Sequence, residues 1–306
     1  MNISNTKIHK VAVVGCGSVG RFAAQAIISS QDLELVGIVR RPESLEAHLP
    51  PELGEIPVVA SISELDSVDV AILGVPTRQV PKYAREILSL GINTVDCYDI
   101  HQELVHVKNM LDDVAQKSGA VAVIAAGWDP GTDSLLRALL EIMAPKGITY
   151  TNFGPGMSMG HTAALRAIPG VKDALSITYP KGSGVHRRLV YVALDEGIDF
   201  DTVREAIIRD PYFSNDETIV TCIENIEDLR DPGHGVVIER KGVSGMSCNQ
   251  RFQFEMRINN PALTGQIMVG AARATLRQTP GAYTLLELPL IDCLYGDKDS
   301  LLKKLV

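Results

Sequence analysis

The chain has 306 residues, 45% hydrophobic and 22% charged, which is enough for two domains with sizeable cores. Its net charge of −8 argues against nucleic acid as a partner, because phosphate binding needs a basic face. The longest apolar runs are about ten residues, well short of the ~20 that span a bilayer, so no membrane partner is expected.

Strand-like and helix-like segments alternate from the start. KVAVVG (10–15) is a strand, 19–30 a helix, and LELVGIV (33–39), IPVVA (56–60) and VDVAILGVP (68–76) are strands. A helix over 78–90 leads to INTVDCYD (92–99), and another over 102–118 leads to AVAVIAAG (120–127). Near-continuous apolar strands separated by amphipathic helices predict an α/β domain over 1–126, with a doubly wound parallel sheet covered on both faces. After Gly127 the rhythm changes. A helix over 132–143 precedes ITYTNFG, ALSITYP, HRRLVYVAL, ETIVTCIE, GVVIERKG and QRFQFEMRI, with one helix near 200–209 among them. This predicts a second, α+β domain over 127–261 carrying a mostly antiparallel sheet. A helix over 261–278 is rich in small residues (Gly265, Gly270, Ala271, Ala272, Ala274), and the segment 262–306 is expected to return to the first domain.

No secretory signal is visible in the polar start MNISNTKIHK, and a cytoplasmic location is expected. Cys16, Cys97, Cys222, Cys248 and Cys293 are scattered without a CxxC pair and read as reduced, mostly buried thiols. The seven histidines form no ligand pattern, so no metal is expected.

GCGSVG (15–20) fits GxGxxG after a strand and at the start of a helix, the context a dinucleotide site requires. Gly15 permits the turn, Gly17 lets the backbone approach a pyrophosphate, and Gly20 lets helix and strand pack closely. Ser18 and Val19 open the helix whose free N–H groups face the anion, and Gly74, Pro76 and Thr77 complete the candidate cofactor set. Where the second strand ends, an NAD enzyme usually places Asp or Glu for the ribose hydroxyl. This chain has Arg40-Arg41, which matches the 2′-phosphate of NADP. A solvated basic turn is the alternative.

The stretches GCGSVGR, VDCYDIH, AGWDPGTDS, NFGPGMSMGH, HRR, GHG, NNPALTGQ and PGAYTLLELP are similar to those of meso-diaminopimelate dehydrogenases, and the resemblance covers nearly the whole chain. It implies a Rossmann-type domain, a substrate-binding and dimerisation domain, and a homodimer. It also implies NADP-dependent oxidative deamination of the D-centre of meso-diaminopimelate, a reaction of lysine biosynthesis that gives L-2-amino-6-oxopimelate and ammonia. The short segment from Lys181 to Val185 looks like the shorter-chain subclass, some of whose members aminate simple 2-keto acids. A broad D-amino-acid dehydrogenase and a non-catalytic NADP sensor stay open as alternatives.

The substrate carries two ammonium and two carboxylate groups. Asp99 and Asp129 follow parallel strands at the ends where ligands bind in such sheets, so both could hold the reacting ammonium. Trp128 would wall the site and exclude water from the developing imine. Helix capping is the alternative for each aspartate. The resemblance places Phe153, Met159 and Gly160 near the substrate, with glycines 154, 156 and 160 letting backbone approach a carboxylate. Core packing is the alternative for Met159. It also assigns Thr178, Arg188, His234 and Asn260 to the distal L-centre. Arg188 is the natural carboxylate partner, although Arg187 could take that place, and His234 could be a solvated loop histidine.

Overall fold

Hydrophobic strands too apolar for one-sided burial become the centre of a seven-stranded parallel sheet. The computed structural model describes residues 7–46, 48–229 and 233–306, leaving aside the side chains of 228, 248 and 249. The chain divides into two compact units, Met1–Leu135 with Pro261–Val306, and Leu136–Asn260. The first unit thus runs past the expected edge at 126.

In the first unit, β1 (His9–Val14), α1 (Ser18–Ile28), β2 (Leu33–Val39), β3 (Val58–Val59), β4 (Val70–Leu73), α2 (Val80–Leu88), β5 (Asn93–Asp96), α3 (Leu104–Ser118) and β6 (Val121–Val123) follow the predicted order. Next comes α4 (Thr132–Met143), whose span agrees with the predicted 132–143. Val11, Val13, Ile38, Val70 and Ile72 form one apolar layer with Ala23, Ala24 and Ile27 of α1. Ala12, Val14, Ala71 and Leu73 face the opposite layer, against α2 and α3.

The second unit holds β7 (Lys146–Phe153), β8 (Gly156–Met157), α5 (Met159–Arg166), β9 (Val171–Gly182), β10 (Val185–Leu194), α6 (Phe200–Arg209), β11 (Glu217–Cys222), β12 (Gly233–Ser244) and β13 (Ser247–Asn259). The expected antiparallel strands fall into two sheets, β11-β10-β9-β8 and β13-β12-β7, and only β10 and β11 pair in parallel. The glycine-containing stretch 154–161 contains β8 and the start of α5. The helix is two turns long with a glycine inside, too short to show apolar periodicity.

The chain then forms α7 (Asn260–Thr275), β14 (Gly281–Tyr283) and α8 (Lys298–Leu305). A Cβ on Gly265 would lie 2.7 Å from the Ala23 nitrogen, so the small residues let α7 touch α1 backbone to backbone. Arg273 of α7 grips Asp32 with two hydrogen bonds of 2.8 and 2.9 Å, and both groups are nearly buried. β14 pairs with β6 and completes the sheet order β14-β6-β5-β4-β1-β2-β3. Three residues carry no periodic signal, and only the free edge of β6 makes them a strand.

Among the described residues no helix is long and apolar enough to cross a membrane. Four cysteines are free; Cys222 is exposed and Cys16, Cys97 and Cys293 are half-buried, so the expectation of mostly buried thiols is corrected. Cys248 has its side chain outside the described residues.

Candidate active site

The glycine loop has the shape a dinucleotide needs. Gly15 has φ +88°, and a Cβ on Gly20 would sit 2.0 Å from the Gly15 carbonyl oxygen. A Cβ on Gly74 would come within 2.8 Å of Gly20 Cα, so three backbones meet here. Gly17 differs, because no atom lies within 4 Å of where its Cβ would be. Gly17 and Ser18 are exposed, Val19 is half-buried, and no side chain caps the N-terminus of α1. Open space above uncapped N–H groups fits a pyrophosphate. Arg40 is half-buried and reaches the Ser44 carbonyl at 3.5 Å, whereas exposed Arg41 pairs with Glu43 at 3.3 Å. Pro76 is exposed, and the Thr77 hydroxyl accepts the Asp99 N–H at 3.1 Å.

β5 ends at Asp96 and β6 at Val123, earlier than the predicted strands, so Asp99 and Asp129 lie on the loops that follow two paired parallel strands. Neither is an N-cap. Glu103 occupies the N-cap position of α3 without a side-chain cap, and Asp129 stands ahead of Gly131, which directly precedes α4. GWDPG is a tight loop closed on itself. Gly127 N–H donates to the Pro130 carbonyl, Thr132 N–H donates to the Gly127 carbonyl, and a Cβ on Gly131 would overlap Gly127 at 1.8 Å. Trp128 is 6% exposed. Asp129 has a side chain 15% exposed, with His101 Nε2 4.0 Å from Oδ2.

Asp96 was missed by sequence reasoning, although it stands in VDCYD. It is fully buried, and Oδ1 accepts N–H groups from Tyr98 and Ala125, each at 3.0 Å. Burial pushes its carboxyl up to about 6, against the pull of those two hydrogen bonds.

In the second unit Arg188 (β10) lies opposite Thr178 (β9), which also faces Gly156 of β8. Arg188 Nε donates to Asp216 Oδ2 at 2.6 Å and Nη1 donates to the Thr178 hydroxyl. Its neighbour Arg187 pairs with Glu217 and is far more exposed, so Arg188 is the enclosed member of the pair. His234 is corrected: it lies on β12, is buried, and stacks on Phe153 with ring centroids 6.5 Å apart. Phe153 ends β7, and its N–H donates to His186 Nε2 at 2.8 Å. Met159 opens α5 and Gly160 follows it, both half-buried, and buried Asn260 opens α7. The glycines at 154 and 156 also allow close backbone packing within this unit, since their missing Cβ atoms would lie 2.2 Å from Thr178 O and 2.4 Å from Gly233 O.

His161, His186 and Asp216 escaped sequence reasoning. Asp216 has no motif around it, while the two histidines lie in GPGMSMGH and HRR. Ser158 Oγ is 2.7 Å from His161 Nδ1, and Tyr212 and Phe213 meet the ring edge to face. Burial, with the Arg188 guanidinium second, pushes His161 down to about 3 and His234 down to about 4; the same two causes lower His186. All three imidazoles are therefore held toward the neutral form, by burial first and by the Arg188 charge second.

This has a consequence for stability. Folded His161 and His234 titrate below the ordinary value of 6.5, so the unfolded chain takes up protons first as pH falls. Stability of the second unit should drop as pH moves from about 6.5 toward 4. Asp96, in the other unit, works in the opposite direction from about 6 down to 3.8. Thermal unfolding of the second unit followed between about pH 7 and pH 5 checks this. A melting temperature that rises on acidification, or a slope untouched by His161→Gln, would contradict it.

A parallel sheet with a glycine-lined turn at its first crossover, and acidic side chains beyond β5 and β6, defines an oxidoreductase that uses a nicotinamide dinucleotide. Residues 9–124 match the oxidoreductase family with an NAD-binding Rossmann fold, and residues 127–187 match the diaminopimelic acid dehydrogenase C-terminal domain. The meso-diaminopimelate D-dehydrogenase of Bacteroides fragilis is 54% identical over 297 residues, covering 97% of this chain and 99% of its own. That of Lysinibacillus sphaericus is 33% identical, covering 92% and 94%. An engineered D-amino acid dehydrogenase bound to NADP+ superposes with a TM-score of 0.87 at 28% identity, over 98% of this chain and 100% of the other. The C. glutamicum DAP dehydrogenase in complex with DAP gives 0.86 at 29% identity, with the same coverage. The chain belongs to the meso-diaminopimelate D-dehydrogenase family.

Proposed function

We propose that the protein oxidatively deaminates the D-centre of meso-2,6-diaminopimelate with NADP, giving L-2-amino-6-oxopimelate and ammonia. The observation that carries this reading is the pair Asp99 and Asp129 beyond adjacent parallel strands, with Trp128 buried beside the second. Bound NADP supplies the hydride acceptor. The two carboxylates hold and orient the reacting ammonium, which must lose a proton before its lone pair can form the imine. Trp128 keeps bulk water from that pair, and one admitted water then hydrolyses the imine. In the second unit, Arg188 has two of its five N–H groups committed to Asp216 and Thr178. Of the remaining three, one on Nη1 and one on Nη2 can form an end-on fork for the distal carboxylate. His234, Asn260, Phe153, Met159 and Gly160 complete the distal and flanking contacts.

The choice of NADP over NAD rests on Arg40 and Arg41 standing at the end of β2, where an NAD enzyme usually has Asp or Glu. Replacing both arginines with Ala should weaken NADP much more than NAD, since each charge-assisted contact is worth ~1.5–3 kcal/mol, about 10- to 150-fold. Dissociation constants for both cofactors measure this, and equal losses would refute it. A cytoplasmic homodimer completes the proposal. Leu139, Ile142 and Ile148 are exposed apolar side chains of the second unit suited to self-association, and light scattering tests it.

A broader D-amino-acid dehydrogenase is the second reading, favoured by the short β9–β10 turn at Ser183 and Gly184. NADPH formation on the diaminopimelate stereoisomers and D-alanine separates the two. The proposal expects the meso isomer to be strongly preferred, with none from the L,L isomer. Comparable specificity constants for meso-diaminopimelate and D-alanine would favour the broader enzyme, and no turnover with any would leave a dinucleotide-binding protein without catalysis.

A further inference from the structure

We propose that Asp96 is a positioning residue for the reaction, whose one buried carboxylate ties the loop carrying Asp99 to the loop carrying Trp128 and Asp129. The proposal rests on reading Asp99 and Asp129 as the groups that hold the reacting ammonium. Asp96 ends β5 with no exposed surface. Its Oδ1 accepts the N–H of Tyr98, one residue before Asp99, and also that of Ala125, four before Asp129, each at 3.0 Å. The Asp96 carbonyl accepts the Ala126 N–H at 2.7 Å, a third tie between the same two segments.

Two further features say that this arrangement is held against resistance. Ala125 has φ +57°, a left-handed conformation that costs any residue with a Cβ, and it lies where Asp96 clamps the chain. The other carboxylate oxygen, Oδ2, is buried with no hydrogen-bond partner among the described residues, an arrangement that folding alone would disfavour. Joining two strand ends needs an acceptor that takes two N–H groups at once, and a carboxylate oxygen has the lone pairs for it. The turn that would otherwise relax is the one feeding GWDPG.

The test compares Asp96→Ala and Asp96→Asn, each in the parent chain and with Ala125→Gly, with meso-diaminopimelate as substrate and NADPH binding measured separately. Asp96→Ala should lower kcat about 30-fold or more while NADPH affinity is unchanged and KM moves far less, because it shifts the geometry of a site whose chemistry depends on it. Asp96→Asn keeps one acceptor oxygen and should restore most of the rate. Glycine at 125 takes the left-handed conformation freely, so the loss should shrink in that background. A folded Asp96→Ala enzyme with parental kcat, or Asp96→Asn as impaired as Asp96→Ala, overturns the proposal. Should Asp96→Ala not fold, the comparison is made between Ala125→Gly with and without it, and equal kcat there overturns the proposal too. Asp99→Ala and Asp129→Ala run alongside. If both retain parental kcat, the reading of the ammonium site fails, and Asp96 with it. If both are inactive while Asp96→Ala is not, only the role of Asp96 falls.

Discussion

Asp99→Ala and Asp129→Ala are each expected to cut turnover about 100-fold or more on every amino-acid substrate. The substrate's ammonium is a small cation that must be desolvated next to buried Trp128, and each carboxylate offsets part of that cost. Losing one leaves the charge half-neutralised and the reacting carbon free to turn away from the productive pose. Binding of NADPH should persist, because Gly15, Gly17 and Gly20 form their turn within the β1–α1 crossover. Single-turnover hydride transfer and fluorescence titration with NADPH separate the two effects. Full turnover in either variant would remove that carboxylate from the chemistry.

Arg188→Ala is expected to act on one substrate and spare another. A bidentate, partly buried pair with the distal carboxylate should be worth at least ~2 kcal/mol, roughly 30-fold in kcat/KM for meso-diaminopimelate. D-Alanine has no distal carboxylate and should lose little. The substitution also strips Asp216 of its partner and removes the cation that, after burial, contributes most to lowering His161, His186 and His234. Some loss of stability will accompany it for that reason. The ratio of specificity constants for the two substrates, measured on the same preparation, cancels any fraction of unfolded protein. An unchanged ratio would make Arg188 a structural cation and Asp216 its counter-ion.

Period and punctuation in the sequence determined the order of strands and helices from β1 to β6. Apolar β-branched runs, helices of usable length and a glycine loop are local signals, and β2 keeps its predicted span, as does α4 across the boundary of the two units. Asp99, Trp128 and Asp129 became candidates from their places after predicted parallel strands, and Thr178 and Arg188 from the family resemblance. Tertiary structure decided what depends on partners distant in the chain. The strand at 281–283 exists because β6 has a free edge. His234 is a strand residue because β13 pairs with it at Ile258. Which arginine of the pair turns inward followed from the alternation along β10 and from Asp216, twenty-eight residues away. Asp96 was invisible for the same reason. An aspartate at a strand end is ordinary in sequence, and its role is set by the N–H of Ala125, which only the folded sheet brings within hydrogen-bond reach.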